Sequence, residues 1–233
     1  MPRFDIVKKY NASRSFRAQS VVDMFSIEPN NLVERFAGDI AIEDRKWNIG
    51  LIVGASGTGK STIARECFGD WIVDGFEYKA KSVIDDMPSK FPPREVARHF
   101  TAVGFASPPS WLKPYSVLSN GEKMRADLAR AIMERGDRFL FDEFTSVVDR
   151  RVAKTGSAAI AKAVRKRDGQ FIAVTCHHDV TEWLEPDWVY DTDQQRFFFA
   201  LESTSAQRFE SMFSRLRRSG AIMSGDPLES III

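Results

Sequence analysis

Gly54-Ala55-Ser56-Gly57-Thr58-Gly59-Lys60-Ser61 sets two glycines, Gly54 and Gly59, with four residues between them and follows the second with a lysine and a serine. The run Trp47-Asn48-Ile49-Gly50-Leu51-Ile52-Val53 before it is short, apolar and rich in β-branched residues, as a buried strand should be. Thr62 to Phe68 after it reads as a helix. A glycine-rich turn between strand and helix lets successive backbone N–H groups point inward, and the helix N-terminus adds partial positive charge. Such a loop is a nest for phosphate oxygens. Gly54, Ser56, Gly57, Thr58 and Gly59 supply it, Lys60 reaches the outer phosphates, the Ser61 hydroxyl can ligate Mg2+ and Thr62 can bond the α-phosphate. The motif predicts a nucleoside triphosphate site without choosing among kinases, GTPases and ATPases.

Working downstream, Phe139-Leu140-Phe141 is a second apolar strand and ends in Asp142-Glu143. A strand of a parallel sheet delivers such carboxylates to its carboxyl edge, where ligands of open α/β sheets bind. Asp142 is suited to hold Mg2+, through water, and Glu143 to orient the attacking water or take its proton. A third strand, Phe171-Ile172-Ala173-Val174, runs into Thr175-Cys176-His177-His178-Asp179. A histidine there can hydrogen-bond a γ-phosphate and sense its loss. Counting towards Pro186-Asp187-Trp188 favours His177, with His178 as its exposed neighbour. Read as a metal half-site, the His-His pair lacks a third ligand.

Helical spacing marks Gly121 to Arg135 (Met124, Leu128, Ala131, Ile132), a helix is expected over Ala153 to Arg167, and short helices such as Arg94 to Phe100 fit between the prolines of 88–117. Strands alternating with helices imply an α/β fold with a mainly parallel sheet covered on both faces. Upstream, Arg3 to Glu28 reads as one or two strands of an antiparallel β layer before a Pro29-Asn30-Asn31 turn, and Leu32 to Ile42 as a short helix running into a strand. The expected organisation is a nucleotide-binding domain over 1–200, with a short proline-rich helical insert at 88–117. A C-terminal helix (Phe209, Met212, Phe213, Leu216) with a loose tail is expected over 201–233.

Composition excludes several classes. With 43% hydrophobic and 28% charged residues, the 233-residue chain is neither disordered nor fibrous. Its net charge of +1 gives no global attraction to nucleic acid or anionic lipid, so Lys162, Arg165, Lys166 and Arg167 form at most a local basic patch. Cys67 and Cys176 have no metal-ligand spacing and suit a reducing compartment. Met1 to Tyr10 lacks the apolar core of a signal peptide, and no stretch reaches the roughly 18 apolar residues of a membrane span. A cytoplasmic location is expected.

Leu118-Ser119-Asn120-Gly121-Glu122-Lys123, followed by a helix carrying Arg125, Ala129 and Arg130, resembles the signature motif of ABC (ATP-binding cassette) ATPases, usually Leu-Ser-Gly-Gly and then Gln or Glu. The resemblance covers about Val7 to Asp191 in family order: P-loop, signature, acidic strand end, an Asp-loop at Ser146-Val147-Val148-Asp149, and the switch histidine. It implies ATP and Mg2+ as ligands, hydrolysis to ADP and phosphate, and a homodimer that closes around ATP. Ser119, Asn120, Gly121, Glu122 and Asp149 would then act in trans on the nucleotide of the opposite subunit. Locally, Ser119 and Glu122 also fit a helix capping box.

Two departures are visible. No glutamine lies between Lys60 and Ser119, where the family has its Q-loop, and Asp85 or Asp86 could stand in. The interval is also short and rich in proline, with little room for a membrane-gripping helical subdomain. The resemblance therefore points to a stand-alone ATPase whose closure acts on a macromolecular partner, for which nucleic acid is a candidate. The alternatives are the nucleotide-binding subunit of an ABC transporter and a regulatory module that holds ATP without turnover. Phe16 is the candidate base-stacking aromatic.

Overall fold

The computed structural model describes residues 2–10, 15–27, 33–43 and 45–199. The C-terminal helix expected beyond Ala200 and the Pro29-Asn30-Asn31 turn lie outside them. Two sheets are present among the described residues. The smaller pairs β1 (Arg3–Lys9) with β2 (Val33–Asp39) antiparallel, in a register that sets Ile6 against Phe36. The larger has the order β4-β5-β3-β6-β7, built from β3 (Ile49–Val53), β4 (Arg138–Phe141), β5 (Gln170–Thr175), β6 (Trp188–Asp191) and β7 (Arg196–Phe199). Its first four strands are parallel and β7 closes one edge antiparallel.

Every residue of β3 is buried, because the strand is central and covered on both faces. Its alternate side chains feed two cores. Ile49, Leu51 and Val53 join Phe100, Leu128, Ile132 and Phe171 on one side, while Ile52 joins Ile63, Phe68, Trp188 and Tyr190 on the other. Burying each such aliphatic side chain contributes about 1.5–3 kcal/mol, so the strand that carries the glycine-rich loop is firmly anchored. The helices are α1 (Phe16–Phe25), α2 (Lys60–Phe68), α3 (Pro93–Ala102), α4 (Pro108–Trp111), α5 (Asn120–Arg135), α6 (Arg150–Lys166) and α7 (Val180–Leu184). The helices expected between the loop and residue 199 are thus present, each within a few residues of its sequence-based bounds.

The N-terminal layer corrects the sequence reading twice. Among the described residues of 3–28, β1 is the one strand, and 16–25 is helical: the Ser15 hydroxyl accepts from the Ala18 amide, and Ser26 ends α1 in the left-handed region. Doublets such as Val21-Val22 and Met24-Phe25 fit a helix face as well as a strand, which is why periodicity misled. Conversely, no helix begins the described part of Leu32–Ile42, where 33–39 is extended throughout. Cross-strand pairing decides it, with Arg35 donating twice to Asp5 at 2.7 Å.

Candidate functional site

The parallel strands end at one edge, and there β3 turns into the loop 54–59 and then α2. Gly54, Gly57 and Gly59 have φ of 152°, 85° and 84°. A Cβ at Gly59 would lie 2.4 Å from the Phe36 ring, so glycine is required there by both conformation and space. The loop is braced from behind by the β6–β7 turn: the Asp193 carboxylate accepts from the Ala55 amide at 3.0 Å, and the Thr58 and Thr192 hydroxyls lie 2.5 Å apart. Lys60 Nζ donates across the loop to the Ala55 carbonyl at 2.6 Å. Thr62 accepts from Lys8 of β1 at 2.6 Å.

A cavity of about 470 Å³ opens over this loop. It brings together Ser56, Gly57, Gly59, Lys60, Ser61 and Thr62 with Asp142 and Glu143. Ser61 Oγ donates to Asp142 Oδ1 at 3.0 Å. This hydroxyl and carboxylate are hard oxygen donors, the chemistry Mg2+ prefers, and Mg2+ commonly takes one or two protein oxygens and completes its shell with water and phosphate. The donor set fits Mg2+ held by Ser61 and Asp142. Glu143 and Thr145 both sit in the left-handed region, with φ of 53° and 68°. Side chains rarely adopt that conformation, and its strain concentrates at functional turns.

The other candidates do not line this cavity. His177 Nδ1 lies 3.5 Å from Thr145 Oγ1, and burial, together with the Arg150 guanidinium, pushes its pKa below the ordinary histidine value. Both causes favour the neutral imidazole. His178 points elsewhere, with Nε2 3.7 Å from Asp193. Asp149 caps α6 by accepting from the Arg151 and Val152 amides, both at 3.0 Å, and Arg150 ion-pairs with Asp179 beside the histidines. Ser119 and Glu122 form the full capping box at the start of α5. Hydrogen bonding from Ser110 and from Ser119, with the Lys113 ammonium, holds Glu122 down to about 2 against its burial. Gly121 is where α5 approaches α6, since a Cβ there would lie 2.7 Å from Val152. Asn120 donates to the Val147 carbonyl at 3.2 Å, joining signature to Asp-loop, and Ser119, Asn120 and Asp149 are all exposed.

Sequence reasoning missed Glu34 and Phe36, which line the cavity from β2, and Cys176, which lines it just after β5. Phe16, its candidate aromatic, is 87% exposed on α1 and is not among the lining residues. Nor do Asp85 and Asp86 line the cavity: Asp86 accepts from the Lys79 and Ala80 amides and Asp85 from Ser82.

No family model matches the chain. The ATP-binding cassette MJ0796, solved as a dimer in a post-hydrolysis state with ADP and Pi, superposes with a TM-score of 0.59 at 11% identity, over 86% of this chain and 99% of that one. The fold is that of an ATP-binding cassette. CbiO1 from Clostridium perfringens, part of an ABC transporter complex, has the same cassette fold with a TM-score of 0.53 at 18% identity, over 80% of this chain and 89% of that one. A 64-residue stretch is 38% identical to a probable metal transport system ATP-binding protein of Chlamydia pneumoniae. That stretch covers 28% of this chain and 24% of its relative.

Proposed function

We propose that the chain binds Mg-ATP in the cavity over the glycine-rich loop and hydrolyses it to ADP and phosphate within a closed homodimer. The observation that carries this is the 3.0 Å contact of Ser61 with Asp142, in a cavity that Lys60 and Glu143 also line. The loop amides and Lys60 hold the phosphates, and Ser61 and Asp142 hold Mg2+, which when bound neutralises charge on the phosphates. Glu143 orients water towards the γ-phosphorus and receives its proton as the bond to the ADP oxygen breaks. His177 donates a hydrogen bond to the γ-phosphate. Phe36 stacks on the adenine in place of Phe16.

Ser119, Asn120, Gly121, Glu122 and Asp149 serve the partner's nucleotide, and the exposure of Ser119, Asn120 and Asp149 on one chain suits that role. The assigned domain limits, 1–200 with the 88–117 insert, follow from this reading. No helix among the described residues is long and apolar enough to cross a membrane. Titrating the protein with Mg-ATP while following heat capacity and intrinsic fluorescence tests the reading: a ligand-dependent rise in Tm is expected, and an unaltered protein rejects it.

What the cycle drives has two readings. In the first, closure of a stand-alone ATPase acts on a macromolecular partner. Nucleic acid has little support in that role, since Arg165 of the basic cluster is spent on the Leu184 and Glu185 carbonyls. The second, a transporter's nucleotide-binding subunit, is favoured by the stretch shared with the chlamydial protein. Co-purification of an integral membrane protein with the chain selects the second.

A further inference from the structure

Beside α3, a second groove of about 860 Å³ runs between that helix and the C-terminal end of α6. It shares no residue with the nucleotide cavity. Lys166 ends a helix that begins beside Asp149, and at 1.5 Å per residue its 17 residues carry the groove about 25 Å from the Asp-loop. Arg94, Arg98, Lys166 and Arg167 line it and are exposed, and none has an ion pair among the described residues. Glu95 is the one lining carboxylate.

Two features set this groove apart from a solvated helix face. Arg94 and Arg98 stand at i,i+4 on α3, and Lys162 and Lys166 at i,i+4 on α6, spacings at which like charges destabilise a helix by a few tenths of a kcal/mol. The concentration of charge is felt by half-buried His99, whose pKa is depressed by burial and by Arg167. The floor is apolar, with Ile132 and Ala163 buried and Ala97 and Ala102 beside them. Small side chains there allow a backbone to approach closely.

We propose that this groove docks an acidic amphipathic segment of a partner protein, its carboxylates on the four cations and its apolar side chains on the alanine-isoleucine floor. A nucleic-acid backbone would satisfy the cations but leave that floor bare, and the net charge of +1 gives the chain no long-range pull on polyanions. The inference stands apart from the ATPase reading, because the groove exists whether or not nucleotide binds.

Fluorescence anisotropy decides it with the full chain and three probes: an 18-residue peptide of Glu, Leu and Ala with its apolar residues on one helical face, the same composition scrambled, and a 20-nucleotide oligo-dT. The patterned peptide is expected to bind best, with affinity falling as NaCl rises. An Arg98→Glu/Arg167→Glu variant is expected to weaken it about tenfold or more. Ala102→Phe, which fills the groove without changing charge, should weaken it as well, and the melting curve of each variant reports that the fold is kept. Failure of the patterned peptide to bind, equal binding by the scrambled peptide, or indifference to both variants overturns the proposal. Tighter binding of oligo-dT that the charge reversal abolishes overturns it in favour of nucleic acid.

Discussion

Two helix N-termini in this fold follow a loop that the sequence assigns to phosphate, and they are finished in opposite ways. At α2, Gly59 occupies the cap position in a left-handed conformation and no side chain caps the helix. Its first-turn N–H groups remain for a ligand. At α5 the Ser119 hydroxyl accepts from the Glu122 amide while the Glu122 carboxylate accepts from the Ser119 amide and hydroxyl. That end satisfies part of its own need for acceptors. The difference teaches that the first helix end keeps its donors for a ligand, as the proposed Mg-ATP site requires. The second meets part of that need with its own side chains, so under the same proposal only its remaining donors would face the nucleotide of another copy.

Substitutions can break or sharpen this contrast. Glu143→Gln should produce the largest change, lowering phosphate release about 10²–10⁴-fold while ATP is retained. The ATP-loaded variant should run as a dimer by light scattering, and a monomer at saturating ATP refutes the two-chain site. Lys60→Ala removes the charge facing the phosphates and should weaken Mg-ATP binding by about 2–5 kcal/mol in calorimetry. Ser119→Ala should cost about 1 kcal/mol of unfolding free energy through the lost cap. It should also slow turnover while leaving ATP affinity of the isolated chain unchanged, and a parallel loss of affinity would mean that both helix ends serve the same nucleotide.

The smallest effect is electrostatic. Glu122 is held at about 2 against an ordinary 4.5. Its folded form keeps the charge that the unfolded chain surrenders to protons, so its stabilisation is complete above pH 4.5 and lost as pH falls from there towards about 2. Acid titrations of the parent and Glu122→Gln proteins should converge across that window. Curves that stay parallel refute the capping role.

The contrast also explains what was legible in the sequence. The loop 54–61, the strand before it and the Asp142-Glu143 strand end could be read because each is local: a few adjacent residues dictate backbone shape and chemistry together. Their neighbourhood follows from parallel register, which the helix-strand alternation implied. Phe36 could not be found in this way. It reaches Gly59 only because β1 pairs with β2 across an inserted helix, and residue type alone pointed to Phe16 instead. Thr192 and Asp193 were invisible for the same reason, since a turn more than 130 residues away braces the loop. The α1 helix was missed because paired apolar doublets serve both periodicities.

Glu143 stands in a left-handed backbone conformation that suits glycine or asparagine better, at a cost on the order of 1–3 kcal/mol. Glu143→Gly should therefore give a hardier but inert protein. A library screened for heat resistance alone would erode this turn, discarding the carboxylate that the proposed hydrolysis needs, whereas one screened for turnover would preserve the strain generation after generation.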